Sequence, residues 1–135
     1  MHKDTDIEFN PSNKGKKQKL RRDKKIKLSS TNWISRQLND PYVIEANRLG
    51  YNSRSAFKLI EMNNKFNFLR KSILLLDLGS SPGGWSQVVS KKVTNGKILS
   101  VDLKSMEKIE NVDFINGDFL DEEIQKKIIN HFKFK

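Results

Sequence analysis

The sequence predicts a doubly wound α/β fold, and three observations carry that prediction. The apolar run at residues 73–76 has no polar alternation, which is typical of a strand covered on both faces in a parallel sheet. A glycine-rich loop, residues 79–84, follows that run and leads into a helical pattern. Two further strand patterns then alternate with helical ones, as in folds built from repeated strand–helix units.

Helices are predicted ahead of the sheet. Polar residues 29–32 supply capping side chains for a first helix that contains Trp33. Pro41 begins a second helical segment, and Gly50 ends it. A serine at position 53 or 55 caps a third helix. The positions expected to share the inner side of that helix are Phe57, Leu59, Ile60, Met62 and Asn64.

The elements after the glycine loop follow in a regular order. A helix begins near Gly84, a second strand covers residues 97–103, a short polar helix covers 105–110, and a third strand covers 112–116. Asp121 caps the last helix. The side chains expected to face inward from the two long helices are Trp85, Val88, Val89 and Val93, followed by Ile124, Ile128 and Phe132.

The positive charge of the chain is concentrated near its N-terminus. Residues 14–27 contain nine Lys or Arg and one acid, so this stretch carries +8 of the formal net charge of +10. A block of like charges without an apolar stripe repels itself, so we expect a disordered basic tail over residues 1–30 and a partial domain over 31–135. Such a tail gains affinity for RNA phosphates by counterion release. A solvated tail or a targeting signal is the alternative.

Several classes of protein are disfavoured. The chain has no cysteine, which excludes disulfides and thiolate metal sites. Its two histidines, His2 and His131, lie far apart near the chain ends, so no metal site is expected. No apolar run approaches the length of a membrane span, and the N-terminus lacks the apolar segment of a signal peptide. We therefore expect a cytoplasmic protein that has no membrane partner.

The glycine loop indicates a nucleotide ligand at the carboxyl end of the first strand. A dinucleotide fingerprint reads G-x-G-x-x-G, and Ser81 stands at the place of its second glycine. This substitution argues against an NAD-binding oxidoreductase. No Gly-Lys-Ser/Thr follows, which excludes a P-loop. A loop that need not wrap a pyrophosphate fits a smaller, cationic nucleoside cofactor.

Three acids follow the three predicted strands. Asp77 closes the first strand, Asp102 closes the second, and Asp118 comes just after the third. Asp102 stands near the spacing from the first loop glycine at which an acid accepts the ribose hydroxyls of a bound nucleotide. Asp118 would be level with an adenine. One acid at a strand end is most often a turn former, but three around one glycine loop indicate a ligand site.

Three segments carry a resemblance to a known family. DLGSSPGGWSQ, the upstream SRSAFKL and the downstream VDFINGDF resemble the FtsJ/RrmJ family over about residues 30–132. These are S-adenosylmethionine-dependent methyltransferases of Rossmann-like fold that modify the 2′-hydroxyl of a uridine ribose in large-subunit ribosomal RNA. The resemblance implies cofactor contacts at Gly83 and Trp85, a ribose contact at Asp102 and an adenine contact at Asp118. It also implies ribosomal RNA and the large ribosomal subunit as partners.

The family pattern also implies a catalytic lysine. The first lysine of the family's Lys-Asp-Lys-Glu quartet is the one in SR-x-x-F-K-L, which here is Lys58. The family continues into a fourth strand that ends in Asp-Met-Ala-Pro-Asn, and this sequence stops at Lys135 before any such motif. We therefore expect the cofactor-binding half, with an uncovered first strand and a separately encoded C-terminal half as partner. A catalytically inactive RNA- or cofactor-binding fragment is the alternative.

Overall fold

The computed structural model describes residues 28–133, and these described residues fall into two compact units, residues 28–45 and residues 46–133. The expected basic tail lies almost wholly outside the described residues. No helix within residues 28–133 has the length and apolar character needed to cross a membrane. The helices are α1 (Leu28–Asn39), α2 (Pro41–Leu49), α3 (Ala56–Phe66), α4 (Gly84–Lys92) and α5 (Glu122–Phe132). The strands are β1 (Leu74–Leu78), β2 (Lys97–Asp102) and β3 (Asp113–Asn116).

The predicted start of α1 is wrong, whereas that of α2 is confirmed. The helix α1 is described from Leu28, so the polar residues 29–32 lie within it and not before it. The helix α2 begins at Pro41, where a fixed φ and a missing N–H suit the first helical position. Asp40 precedes it and caps it, because its Oδ1 accepts from the N–H of Tyr42 at 2.8 Å.

One inner position of α3 is wrong by a single residue. Asn64 is exposed, and Asn63 is the buried asparagine, at 8% exposure. The Oδ1 atom of Asn63 accepts from the N–H of Leu69 at 2.9 Å, which supplies the partner that a buried amide needs. Phe57 and Leu59 are buried as expected.

The three strands form a parallel sheet in the order β1-β2-β3, which confirms the α/β class. In the register, Leu76 lies beside Leu99 and Leu99 lies beside Asp113. Because the strands run parallel in this order, β2 is the central strand of the three. Their carboxyl ends, which carry Asp77 and Asp102, meet at one edge of the sheet.

Helices cover both faces of β2. On one face, Ile98 packs in a buried cluster with residues of α3 and α4, among them Leu59, Val88 and Val89. On the other face, Leu99 and Val101 pack against α5. The side chains that α5 contributes are Ile124, Ile128 and Phe132, as predicted. The predicted cap is also confirmed, since Asp121 precedes α5 and accepts from the N–H of Glu123 at 3.0 Å.

The predicted short helix at residues 105–110 is wrong. The connection between β2 and β3 contains no helix. Its apolar side chains are engaged elsewhere: a Cβ built on Gly83 would lie 2.9 Å from Ile109 Cδ1 and 3.1 Å from Met106 Sδ. The hydroxyl of Ser81 also donates to the Ser105 carbonyl at 3.2 Å. These contacts with the glycine loop favour an extended path over helical hydrogen bonds.

The described residues leave β1 uncovered on one side, as expected for a partial domain, although its unalternated apolar run is typical of a strand covered on both faces. One side of the strand packs against the cluster below α3 and α4 through Leu75. The leucines of the other side are exposed: Leu74 by 47%, Leu76 by 39% and Leu78 by 46%. The cause is position, because β1 ends the three-stranded sheet and α5 packs on β2.

Candidate functional site

The loop between β1 and α4 is held from two directions. Its first two N–H groups, those of Gly79 and Ser80, donate to the Val101 carbonyl of β2 at 2.8 and 3.2 Å. At its other end, Gly83 adopts φ +110°, which favours glycine, and a side chain there would require Ile109 to shift. The loop is therefore fixed between β2 and the β2–β3 connection.

Asp102 joins the glycine loop to the end of β2. Its Oδ2 accepts from the N–H of Ser81 at 2.9 Å, and its Oδ1 accepts from the N–H of Lys104 at 2.8 Å. The Lys104 N–H, followed by that of Ser81, lowers the pKa of the Asp102 carboxyl. Each carboxylate oxygen has capacity for further bonds, so both can accept hydroxyl donors from a ligand.

Asp118 forms a turn at the end of β3. Its Oδ1 accepts from the N–H of Leu120 at 2.9 Å, the local bond of an aspartate in a turn. The N–H of Gly117, just before it, donates to the Asp102 carbonyl at 2.9 Å. The two predicted ligand acids therefore follow strand ends that are directly hydrogen-bonded to each other.

Asp77, at the end of β1, is held by two serines. The Ser86 hydroxyl donates to Asp77 Oδ2 at 2.6 Å. Ser86 and Ser100 hydroxyls lie 2.7 Å apart, and Ser86 has one proton, so Ser100 donates to Ser86. Burial raises the pKa of the Asp77 carboxyl, the Ser86 bond opposes that rise, and the nearby charge of Asp102 adds to it.

A cavity of about 470 Å³ opens beside the end of β1. Asp77, Ser80 and Trp85 line it together with apolar side chains of β1 and α3. Ser80 is 5% exposed, and its Oγ has no hydrogen-bond partner among the described residues. A buried hydroxyl favours a ligand that can hydrogen-bond to it, and a carboxyl destabilised by burial favours a cationic one. A small cationic nucleoside cofactor meets both conditions.

Trp85 lies at the border between this cavity and α3. Its side chain is 36% exposed, so the tryptophan is not a core residue. The indole Nε1 donates to the carbonyl of Ser55 at 2.9 Å, and Ser55 directly precedes α3. Trp85 therefore fixes the start of α3 as well as lining the cavity.

Lys58 lies in the first turn of α3 with an exposed side chain. Its N–H donates to the Ser55 carbonyl at 3.1 Å, the same carbonyl that accepts from Trp85. Of the predicted site residues, only Trp85 lines the cavity; Lys58, Gly83, Asp102 and Asp118 do not. The structure connects Asp102 to the cavity's rim through Ser81 and connects Lys58 to it through Ser55.

Two residues of the cavity have no specific role in the sequence analysis. Asp77 counts there among the three acids that indicate a ligand site but is assigned no ligand group, and Ser80 is not singled out. The period-two pattern of a strand puts Asp77 on the same side as Leu75, facing α4, which was an available signal. No comparable pattern marks Ser80. Within residues 28–133, no group of three or more His, Asp or Glu side chains is gathered to hold a metal ion.

Comparisons with known proteins identify the family of the chain. The sequence pattern of the FtsJ-like methyltransferase family matches residues 51–135. A ribosomal RNA large subunit methyltransferase E from Nitrobacter hamburgensis is 49% identical over 109 residues, 78% of this chain and 48% of the relative. The enzyme of the same name from Pelagibacter ubique is 50% identical over 106 residues, 78% of this chain and 52% of the relative. The chain thus spans about half the length of these curated relatives.

A solved structure is similar as well. It is a crystal structure from Plasmodium falciparum of a protein described as a ribosomal RNA methyltransferase, with a TM-score of 0.51 and 39% identity. The match covers 58% of this chain and 49% of the other. The family pattern spans more than half of the sequence, including the glycine loop and all three acids. The chain therefore belongs to the FtsJ-like methyltransferase family.

Proposed function

We propose that this chain is the cofactor-binding part of an S-adenosylmethionine-dependent methyltransferase that acts on a uridine 2′-hydroxyl of large-subunit ribosomal RNA. The observation that carries the proposal is the hydrogen bond from the Ser81 N–H to Asp102. It fixes the glycine loop beside a carboxylate that can accept the hydroxyls of a ribose. The names of the relatives favour ribosomal RNA as the substrate. Such a substrate is consistent with the expected cytoplasmic location.

We assign different residues of the site to different parts of the proposed cofactor. Asp102 accepts the ribose hydroxyls, and Asp118 accepts from the adenine amine. Gly83 lets the loop approach closely, and Trp85 closes the cavity beside it. Asp77 and the unpartnered hydroxyl of Ser80 suit the cationic end of the molecule. Asp77 and Ser80 extend the set implied by the family resemblance.

When bound, this cofactor would supply a methyl group from a sulfonium: the attacking oxygen would form the new C–O bond, and the electron pair of the broken C–S bond would stay on sulfur. The chain's contribution is to place the acceptor in line with that methyl. Lys58 is exposed at the start of α3, so we assign it to holding the RNA by charge. The proton of the hydroxyl then goes to a base that is not among the predicted site residues.

We further propose that a C-terminal half of the domain, possessing that base, packs along β1. The three exposed leucines Leu74, Leu76 and Leu78 form an apolar row beside the cavity, and two of them line it. The relatives are about twice as long as the matched region, which leaves enough sequence for such a half. An apolar edge of this kind otherwise promotes aggregation.

Transfer of labelled methyl to undermethylated large ribosomal subunits tests the function. We expect no detectable transfer from the chain alone, and turnover when a C-terminal half is supplied, since one member of a cooperative catalytic set gives little rate. The Lys58→Ala variant should reduce that turnover, whereas Lys126→Ala, on α5, should not. Strong transfer by the chain alone would show that the base is present in it.

A non-catalytic RNA-binding role is the second candidate, favoured by the charge of residues 14–27. Deleting residues 1–27 should weaken RNA binding at low salt and flatten the dependence of log K on log salt, because up to about nine phosphate contacts are lost. Cofactor binding should not change. If RNA binding is unaffected by Asp102→Ala and no methyl is transferred in any combination, this second function replaces the first.

A further inference from the structure

The residues that join α2 to α3 are hydrogen-bonded to the glycine loop and α4. We call residues 50–55 the bridging segment. The side-chain Nδ2 of Asn52 donates to the Pro82 carbonyl at 2.9 Å. A Cβ on Gly84 would overlap the hydroxyl of Ser53, so the two backbones approach closely. The segment that precedes Lys58 is therefore attached to the loop that we assign to the cofactor.

Gln87, in the first turn of α4, makes this attachment in both directions. Its Oε1 accepts from the N–H of Asn52 at 2.7 Å, and its Nε2 donates to the carbonyl of Gly50 at 3.0 Å. One amide side chain thus closes a pair of bonds onto the backbone of the bridging segment. Neither bond helps to form α4, whose ladder uses backbone groups, so helix formation does not account for a glutamine here.

A second connection lies on the same helix. Trp85 Nε1 donates to the Ser55 carbonyl, and the N–H of Lys58 donates to that same carbonyl. The first turn of α3 is therefore closed on an oxygen that α4 also holds. Gln87 fixes the bridging segment at residues 50 and 52, and Trp85 fixes it at residue 55, so the start of α3 is hydrogen-bonded to the helix that begins at the end of the loop.

We infer that Gln87 is a positioning residue for Lys58, acting through the bridging segment and coupling occupancy of the glycine loop to the placement of the lysine. The coupling rests on the proposed function, because it requires a ligand at the loop. The hydrogen bonds that join α4 to the bridging segment do not depend on that function. Gln87 does not line the cavity at the end of β1, so its substitution leaves the ligand contacts named above in place.

Hydrogen exchange without ligand tests the connection. Gln87→Met keeps the side-chain length and removes both hydrogen bonds. We expect amides of residues 52–58 to exchange about tenfold faster, with residues 97–102 unchanged, because two bonds of modest net strength are lost locally. Gln125→Met is the matched control, since Gln125 Nε2 also donates to a backbone carbonyl, that of Phe119 at 3.0 Å. Equal exchange of residues 52–58 in Gln87→Met and wild type overturns the inference.

Acylation of the Lys58 amine, measured by mass spectrometry from pH 7 to 10 with and without S-adenosylmethionine, tests the coupling. We expect the cofactor to change the Lys58 profile in wild type and Gln125→Met. In Gln87→Met the profile should not respond, although the affinity for the cofactor stays within about threefold. If Gln87→Met only destabilised the protein, the cofactor affinity and the Lys58 response would fall together. The same response in all three proteins overturns the coupling, whereas failure of wild type to bind the cofactor defeats the proposed function and leaves the exchange result standing.

Discussion

Strands β1 and β2 lie side by side in one sheet and differ sharply in what covers them. Residues 98–101 of β2 are at most 1% exposed, with α4 on one face and α5 on the other. In β1, the leucines paired with those α5-facing positions are 39% and 46% exposed. The two strands are similarly apolar, so their residue composition alone does not distinguish them.

The difference in coverage indicates that the two strands have different roles in the sheet. The central strand β2 holds the fold together and places Asp102, whose oxygens accept two N–H groups. The outer strand β1 leads into the glycine loop and borders the cavity. Its row of exposed leucines is not covered by any other described residues. We therefore assign stability to β2 and association to β1.

The largest expected effect is on stability. Leu76 and Leu99 are register partners on one face of the sheet, so Leu→Ala at each is a matched pair. Leu99→Ala should lower the free energy of unfolding by about 2 to 5 kcal/mol, because it leaves a cavity under α5. Leu76→Ala should cost less than about 1 kcal/mol. Urea denaturation measures both, and equal losses would contradict the comparison.

Next comes the pH dependence of stability, which should have opposite signs at the two strand ends. The pKa of Asp102 is lowered on folding, so its contribution is present above the ordinary carboxyl range near pH 4 and is lost as the pH falls through the folded pKa. The pKa of Asp77 is raised, so the folded state binds the extra proton and stability falls as the pH rises from about 4 through the folded pKa.

Two substitutions separate these contributions in urea denaturation measured from pH 3 to 8. Asp77→Asn should remove the decline in stability above pH 4, because the group no longer ionises in a buried place. Asp102→Asn should lower stability at pH 7 and leave less to lose on acidification. A steeper decline above pH 4 in Asp77→Asn would show that the buried carboxyl is not destabilising.

The smallest expected change in stability comes from adding charge to the open strand. Leu76→Lys should change the free energy of unfolding by less than about 1 kcal/mol and reduce self-association, because charge on an edge strand opposes edge-to-edge pairing. Ile129→Lys on α5, where the isoleucine is 58% exposed, adds the same charge away from β1. Sedimentation velocity compares the two, and an equal reduction in both would show that β1 is not the associating surface.

Local signals in the sequence predicted most of the elements around the sheet. Each of these signals depends only on residues close in sequence: the apolar run of β1, the glycines before α4 and Asp121 before α5. The structure confirms the elements that they predict. The three acids also fall at the ends of the strands, as predicted. The parallel sheet brings these carboxyl ends together at one edge.

The errors arise where distant contacts decide the local structure. Residues 105–110 have a helical pattern, but Met106 and Ile109 pack beside Gly83 instead. Asn63 is buried in place of Asn64 because it caps the N–H of Leu69, a bond that no period reveals. His131 has a side chain only 19% exposed and pairs with Asp113 at 2.7 Å, a contact that no local pattern in the sequence indicates. Each of these depends on a residue that folding alone brings near.

Calorimetric titration with S-adenosylmethionine tests the central claim most directly, that the loop and the strand-end acids form a cofactor site. We predict binding at one site by the wild type. Asp102→Ala should weaken it roughly 10- to 100-fold, the worth of hydrogen bonds to a charged acceptor. Asp113→Ala, which removes a strand acid from outside the site, should bind as the wild type does. No heat from the wild type, or equal affinity in wild type and Asp102→Ala, would contradict the account.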